Sequence, residues 1–183
     1  PRLEDDVVTR LVHPSIPPLV SSAQLDAVAL AAKSHNDGYG FILADATGCG
    51  KGRTAMASAL NHCLSTGCRL VIYVSVTNVF PDVSRDYEVF REGFKKLKMS
   101  LKHVRDGVPS KGVVFVPYSF LRKSSQAQLL RKCSKCALVV DESHSATKLT
   151  GAAASVRAEV AHSMVVKAHS SPGCSVLFCS ATW

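Results

Sequence analysis

Asp45-Ala46-Thr47-Gly48-Cys49-Gly50-Lys51-Gly52-Arg53-Thr54 is the stretch that decides the fold. It follows the apolar run Phe41–Ala44 and leads into a segment whose Met56, Leu60, Cys63 and Leu64 recur at helical spacing. A glycine-rich turn between a strand and a helix is the setting a phosphate-binding loop requires. Gly48 and Gly50 let the backbone curl so that successive N–H groups point inward. With the helix N-terminus these amides form an anion hole. Thr47, Gly48, Cys49, Gly50, Lys51, Gly52, Arg53 and Thr54 are therefore the candidate nucleotide-binding residues. Lys51 would bring a cation to the β- and γ-phosphates and is a candidate catalytic residue. The strict pattern G-x4-G-K-[ST] asks for Gly at 45 and Ser or Thr at 52, where this chain has Asp45 and Gly52. The hydroxyl that ligates Mg2+ is thus missing from its usual place. Thr54 is the nearest candidate for it, on a different helix face.

Downstream, Asp141-Glu142-Ser143-His144 follows the apolar run Ala137–Val140. A carboxylate at the C-terminal end of a buried parallel strand faces the crevice where such sheets bind ligands. Asp141 is the candidate Mg2+ ligand, and Glu142 the candidate catalytic group that orients and deprotonates a water. His144 is placed to sense the γ-phosphate. Ser180-Ala181-Thr182 follows the last apolar run, Val176–Cys179. Ser180 and Thr182, with His144, are the candidate coupling residues that relay the state of the acidic motif. The two motifs stand in the right order and after the right kind of segment.

The surrounding sequence supplies the frame. Phe41–Ala44, Leu70–Val76, Val113–Val116, Ala137–Val140 and Val176–Cys179 have the apolar continuity of strands buried on both faces. Helical patterns lie between them, at Leu25, Val28, Ala29 and Ala32, at Leu121, Leu129 and Leu130, and at Val156, Val160 and Met164. Alternating strands and helices predict an α/β domain, a parallel sheet with helices on both faces and right-handed crossovers. Residues 1–21 carry Pro14, Pro17 and Pro18 and read as an extended arm, leaving 22–183 as the domain. Residues 91–111 are the least regular stretch, with a strand near Met99–Val104.

Composition limits the partners. The 183 residues are 46% apolar, enough for a sizeable core, which excludes disorder as the main state. The longest apolar run, Leu70–Val76, is far short of the ~20 residues that span a bilayer, so no membrane is expected. The net charge of +8 is concentrated in 91–111 and 122–135 and suits nucleic acid. Seven cysteines, an odd number lying partly in regular segments, read as free thiols of a reducing compartment. Cys133-Ser134-Lys135-Cys136 lacks the second pair a zinc site would need.

The order of motifs resembles the first RecA-like domain of superfamily 2 helicases and translocases. Within that superfamily the chain resembles the strawberry notch family, whose loop reads roughly G-D-G-x-G-V-G-K-G-R-T. The K-G-R-T ending at 51–54 is shared, so Gly52 is a family trait. Leu19–Val28, Ser75-Val76-Thr77-Asn78 and Val114–Leu121 are similar to further family segments, and the resemblance runs from about Val12 to Thr182. Ala44, Ala46 and Ser143 depart from it. The resemblance implies a P-loop NTPase of the DExH type with ATP and Mg2+ as cofactors, and Gln24 as the residue that reads adenine. It also implies nucleic acid, DNA or RNA, and a second RecA-like domain as partners. An intracellular setting follows, the nucleus first, with a mitochondrion or another organelle as alternatives. The start at Pro1 and the stop at Trp183 are expected to be those of a segment from a longer chain, slow in hydrolysis by itself. The alternatives are a non-catalytic module in a large ribonucleoprotein or chromatin assembly, and a small-molecule kinase.

Overall fold

The computed structural model describes residues 3–44, 48–143 and 156–180. The apolar runs become strands β1 (Phe41–Leu43), β2 (Leu70–Ser75), β4 (Gly112–Pro117), β5 (Ala137–Val140) and β6 (Ser175–Cys179). The basic stretch contributes the short β3 (Leu101–His103). All pairings are parallel, in the order β1-β6-β5-β2-β4-β3. Tyr73 of β2 lies beside Phe115 of β4 and Val139 of β5, and this register puts alternate residues on opposite faces.

One face carries Val71, Tyr73, Phe115, Val139 and Leu177. It packs against α1 (Asp5–Leu11), α2 (Ser22–Asn36), α3 (Lys51–Thr66), α4 (Phe80–Val89) and α5 (Arg91–Lys96). The other face, with Ile72, Val74, Val114, Val116 and Leu138, is covered by α6 (Lys123–Cys133) and α7 (Val156–His169). Helices on both faces explain why the strands are apolar throughout rather than alternating. This confirms the RecA-like parallel sheet expected from the sequence.

Two local features position the loop that precedes α3. The helix is buried from Thr54 through Cys63, which fixes it as the central helix of its layer. It ends at Gly67, whose φ of 73° is the left-handed conformation that closes a helix, with its N–H donating to the Cys63 carbonyl. Helix α2 begins with a capping box in which Ser21 and Gln24 exchange side chain-to-backbone hydrogen bonds.

Residues 1–21 correct an expectation. The segment is not an extended arm: it contains α1 and a 3-10 turn at Pro17–Leu19, and Val8, Val12 and Ile16 enter the core. Asn61 on α3 holds it, accepting from the His13 N–H at 2.8 Å and donating to the Leu11 carbonyl at 3.0 Å. The prolines set the turn, while the apolar spacing before them decides burial. Helices α4 and α5 were also missed, although Phe80, Val83, Tyr87, Phe90 and Phe94 follow helical spacing.

Candidate nucleotide-binding site

The loop after β1 enters α3 through Gly48 at φ 88° and Gly50 at φ 76°, conformations that a side chain would strain. Lys51 opens the helix. Gln24 reaches over from α2, its Nε2 donating to the Gly50 carbonyl at 3.2 Å while its Oε1 accepts from the Ser21 N–H at 3.0 Å. A Cβ at position 50 would run into that carboxamide, so Gly50 is required twice over. Cys49 is exposed. Thr54 corrects an expectation. It is 1% exposed, and its hydroxyl donates to the Gly50 carbonyl at 3.3 Å, so it lies inside the helix packing and does not line the cleft. Two positions past Lys51, the helix has turned it towards the core.

The acidic motif sits across from Lys51 at the carboxyl end of β5. Asp141 is 7% exposed and accepts from the Ser75 hydroxyl at 2.9 Å. Its N–H donates to the Val74 carbonyl, and its own carbonyl accepts from the Tyr118 hydroxyl at 2.9 Å. Burial raises the Asp141 carboxyl above the ordinary carboxylate range, opposed by the Ser75 bond and by the charge of Lys51. Glu142 has φ 50°, a left-handed conformation uncommon for a residue with a side chain. Such strain directly after a strand is typical of functional positions. Ser180 follows β6 with its N–H donating to the Leu43 carbonyl at 3.2 Å, and it is buried rather than lining the cleft. Thr47, His144 and Thr182 lie outside the described residues.

These elements enclose a cleft of about 510 Å³. Gln24, Gly48, Gly50, Lys51, Gly52, Arg53, Asp141 and Glu142 all line it, so most of the site inferred from two distant motifs converges. The structure adds residues the sequence reading missed, chiefly Tyr73, Asp82, Arg85 and Asp86. Arg53 Nε lies 3.6 Å from Asp86 Oδ1, and Asp82 pairs with Arg85 at 2.9 Å. Burial raises the Asp86 carboxyl, and Arg53 and Arg85 draw it back down. The Tyr73 hydroxyl is buried with no hydrogen-bond partner. Among the described residues no three His, Cys, Asp or Glu side chains converge as an all-protein metal cage. Mg2+ in nucleotide sites takes one or two carboxylates and completes its shell with phosphate oxygens and water. The buried Asp141 carboxylate and the orphaned Tyr73 hydroxyl fit that hard-oxygen role.

A six-stranded parallel sheet with a glycine loop at the head of α3 and a carboxylate pair at the end of β5 defines a P-loop NTPase domain of helicase-like architecture. Solved structures agree on the fold. The chain superimposes on the Sulfolobus solfataricus SWI2/SNF2 ATPase core in complex with dsDNA at TM-score 0.61 and 13% identity, covering 88% of this chain and 31% of that one. It superimposes on the Mycobacterium smegmatis helicase Lhr bound to ssDNA and AMP-PNP at TM-score 0.62 and 16% identity, covering 97% and 25%. The chain belongs to the P-loop containing NTP hydrolase pore-1 family, whose model matches residues 7–183. It is 30% identical to protein strawberry notch homolog 1 of Gallus gallus and of Homo sapiens, over 89% of its own length. The resemblance read from the motifs is therefore borne out. The chain spans only 15% and 14% of the length of those two relatives.

Proposed function

We propose that this domain binds ATP in the cleft between the glycine loop and the acidic motif, and that the whole protein couples hydrolysis to movement along, or remodelling of, nucleic acid. The observation that supports this most is the convergence of Lys51 and the loop glycines with Asp141 and Glu142 on one cleft. Lys51 and the loop amides bind the phosphates, with the positive end of the α3 dipole behind them. Asp141 holds Mg2+, which when bound neutralises charge developing on the phosphates. Glu142 orients the attacking water and takes its proton. Gln24 stands at the rim, already engaged at both ends of its carboxamide, so reading adenine would require it to release Gly50. Ser180 lies beside β1 at the loop's own strand, which suits a relay.

The relatives' length leaves room for a second RecA-like domain, which in this class supplies arginine fingers worth roughly 10³–10⁵ in rate. This domain alone should bind nucleotide and hydrolyse it slowly. The basic stretches support a polyanionic partner, and the dsDNA and ssDNA in the two solved neighbours make nucleic acid the first choice. The test is ATPase of the full-length protein with DNA and RNA side by side. Stimulation by either polymer, abolished in Lys51→Ala and Glu142→Gln, is the expected result. An ATPase indifferent to both polymers removes the nucleic-acid half of the proposal, and turnover that survives Glu142→Gln removes the catalytic half.

A further inference from the structure

The loop lacks the hydroxyl that normally follows its lysine, and the structure shows what stands in its place. A Cβ built on Gly52 would lie 2.5 Å from Asp86 Oδ2. A carboxylate oxygen from α4 thus occupies the space into which a Ser or Thr side chain at 52 would project. We propose that the Asp86 carboxylate assumes the metal-binding duty of the missing hydroxyl, so that Asp86 and Asp141 together form the protein's side of the Mg2+ shell. This rests on reading the cleft as a nucleotide site, and adds to it a residue far from both motifs.

Three further observations carry the assignment. First, Asp86 is 7% exposed, and a buried carboxylate that stays ionised is normally paired or metal-bound. The contact with Arg53 is 3.6 Å, well beyond the roughly 2.7–2.9 Å of a charge-assisted hydrogen bond. Arg53 Nε is itself buried without a hydrogen bond. The pair is therefore loosely made, and it engages Oδ1 while Oδ2 faces Gly52. Second, Gly52 sits in the first turn of a helix, where glycine is costly relative to alanine. The approach of Asp86 gives a physical reason for it, since any side chain at 52 would displace the carboxylate. Third, the Tyr73 hydroxyl lines the same cleft, is 1% exposed and has no hydrogen-bond partner. It lies 4.0 Å from the Gly52 Cβ position. A phenol hydroxyl in this position is suited to donate to a neighbouring carboxylate or to hold a water of the cation's shell.

A carboxylate differs from the hydroxyl it replaces by a full negative charge. It attracts a divalent cation more strongly and repels nucleotide phosphates when the cation is absent. Nucleotide binding by this chain should consequently depend on the metal more steeply than a hydroxyl site requires. Two readouts test this on the 183-residue chain: titration with a fluorescent ATP analogue in excess Mg2+ and in EDTA, and occupancy by Mn2+ measured by electron paramagnetic resonance. In the wild type, the metal should tighten nucleotide binding by about tenfold or more. Asp86→Asn should reduce that enhancement to about threefold or less, lower Mn2+ occupancy, and leave metal-free affinity equal or improved. Gly52→Thr combined with Asp86→Ala opens the space and returns a hydroxyl to it, and should restore much of the enhancement. Gly52→Ala displaces Asp86 without changing its charge and should reproduce the loss, which keeps the test available if Asp86→Asn does not fold. An Asp86→Asn protein that folds and retains the wild-type metal enhancement overturns the proposal. If the wild type binds nucleotide no better than Lys51→Ala in either condition, the failure lies in the nucleotide reading itself.

Discussion

The two ends of the sheet are built from similar strands and serve opposite purposes. At the carboxyl end, β2, β5 and β6 deliver Ser75, Asp141 and Ser180, and α3 begins with its N–H groups turned to the cleft. Carboxylates are buried there, and the backbone takes left-handed conformations at Gly50 and Glu142. At the amino end, the same strands start beside a cluster of thiols and imidazoles. Cys174 Sγ donates to the Cys133 carbonyl at 3.4 Å, and Cys68 Sγ to the Leu70 carbonyl at 3.4 Å. His62 Nε2 donates to the Gly173 carbonyl at 3.0 Å, and His35 Nε2 to the Val176 carbonyl at 3.1 Å. Polar groups at this end close inward on main-chain carbonyls. At the other end Asp86, Asp141 and Glu142 line a cavity, with Ser75 bonded to Asp141 behind them. Positive-φ residues occur at both ends, but among the described residues the buried carboxylates, Asp86 and Asp141, both lie at the carboxyl end and line its cleft, and buried charge in a cleft is the mark of a site.

Substitutions should therefore separate the ends, binding at one and stability at the other. Lys51→Ala has the largest expected effect, a loss of nucleotide affinity of roughly a hundredfold with little change in thermal midpoint. A large drop in midpoint instead would mean that Lys51 is structural, and the contrast would collapse. Next comes pH. Burial, assisted by the neighbouring His62, lowers the His35 pKa from 6.5 to about 4. The unfolded chain then binds the extra proton between those values, so stability is intact above pH 6.5 and falls as pH drops towards 4. The loss amounts to at most about 3 kcal/mol. Denaturant unfolding of His35→Gln should show a shallower dependence over this window; an unchanged slope assigns the acid sensitivity to other groups.

Cys136 is fully buried. Cys136→Ser puts a more polar group there and should cost about 1–3 kcal/mol while leaving nucleotide affinity unaltered. Weakened nucleotide binding in that variant would show that the two ends communicate. Ser21→Ala removes the cap of α2 and should cost about 1 kcal/mol. Because Gln24 links that cap to Gly50, a small drop in nucleotide affinity should accompany it. The mildest test is chemical. The neighbouring Cys136 thiol, with the Cys136 N–H that donates to Cys174 Sγ at 3.4 Å, lowers the Cys174 pKa to about 7. Brief treatment with iodoacetamide at neutral pH should label half-buried Cys174 ahead of fully buried Cys133 and Cys136, as read by peptide mass mapping. Equal labelling would mean that the amino end opens as a unit.

Much of this was legible before any fold was drawn. Apolar runs at Leu70–Val76 and Ala137–Val140 read as strands covered on both sides, and the loop at 45–54 and Asp141-Glu142 announced themselves by residue type and spacing. Three features were hidden for physical reasons. The helix at Asp5–Leu11 was obscured by the prolines after it, and its burial depends on Asn61. The Thr54 hydroxyl suggested a metal ligand by type, yet the helical turn directs it to the Gly50 carbonyl. Asp86 carries no motif at all; it became part of the site only when α4 packed beside α3.

The sequence by itself determined the class of fold and the two ends of the phosphate chemistry, because hydrophobic periodicity and glycine-lysine spacing are local properties. Only the tertiary structure decided what occupies the space beside Gly52, and which polar groups face the cleft rather than the core. Those outcomes depend on the distance between atoms far apart in the chain. A carboxylate 2.5 Å from an absent side chain is visible only after the helices that carry them have met.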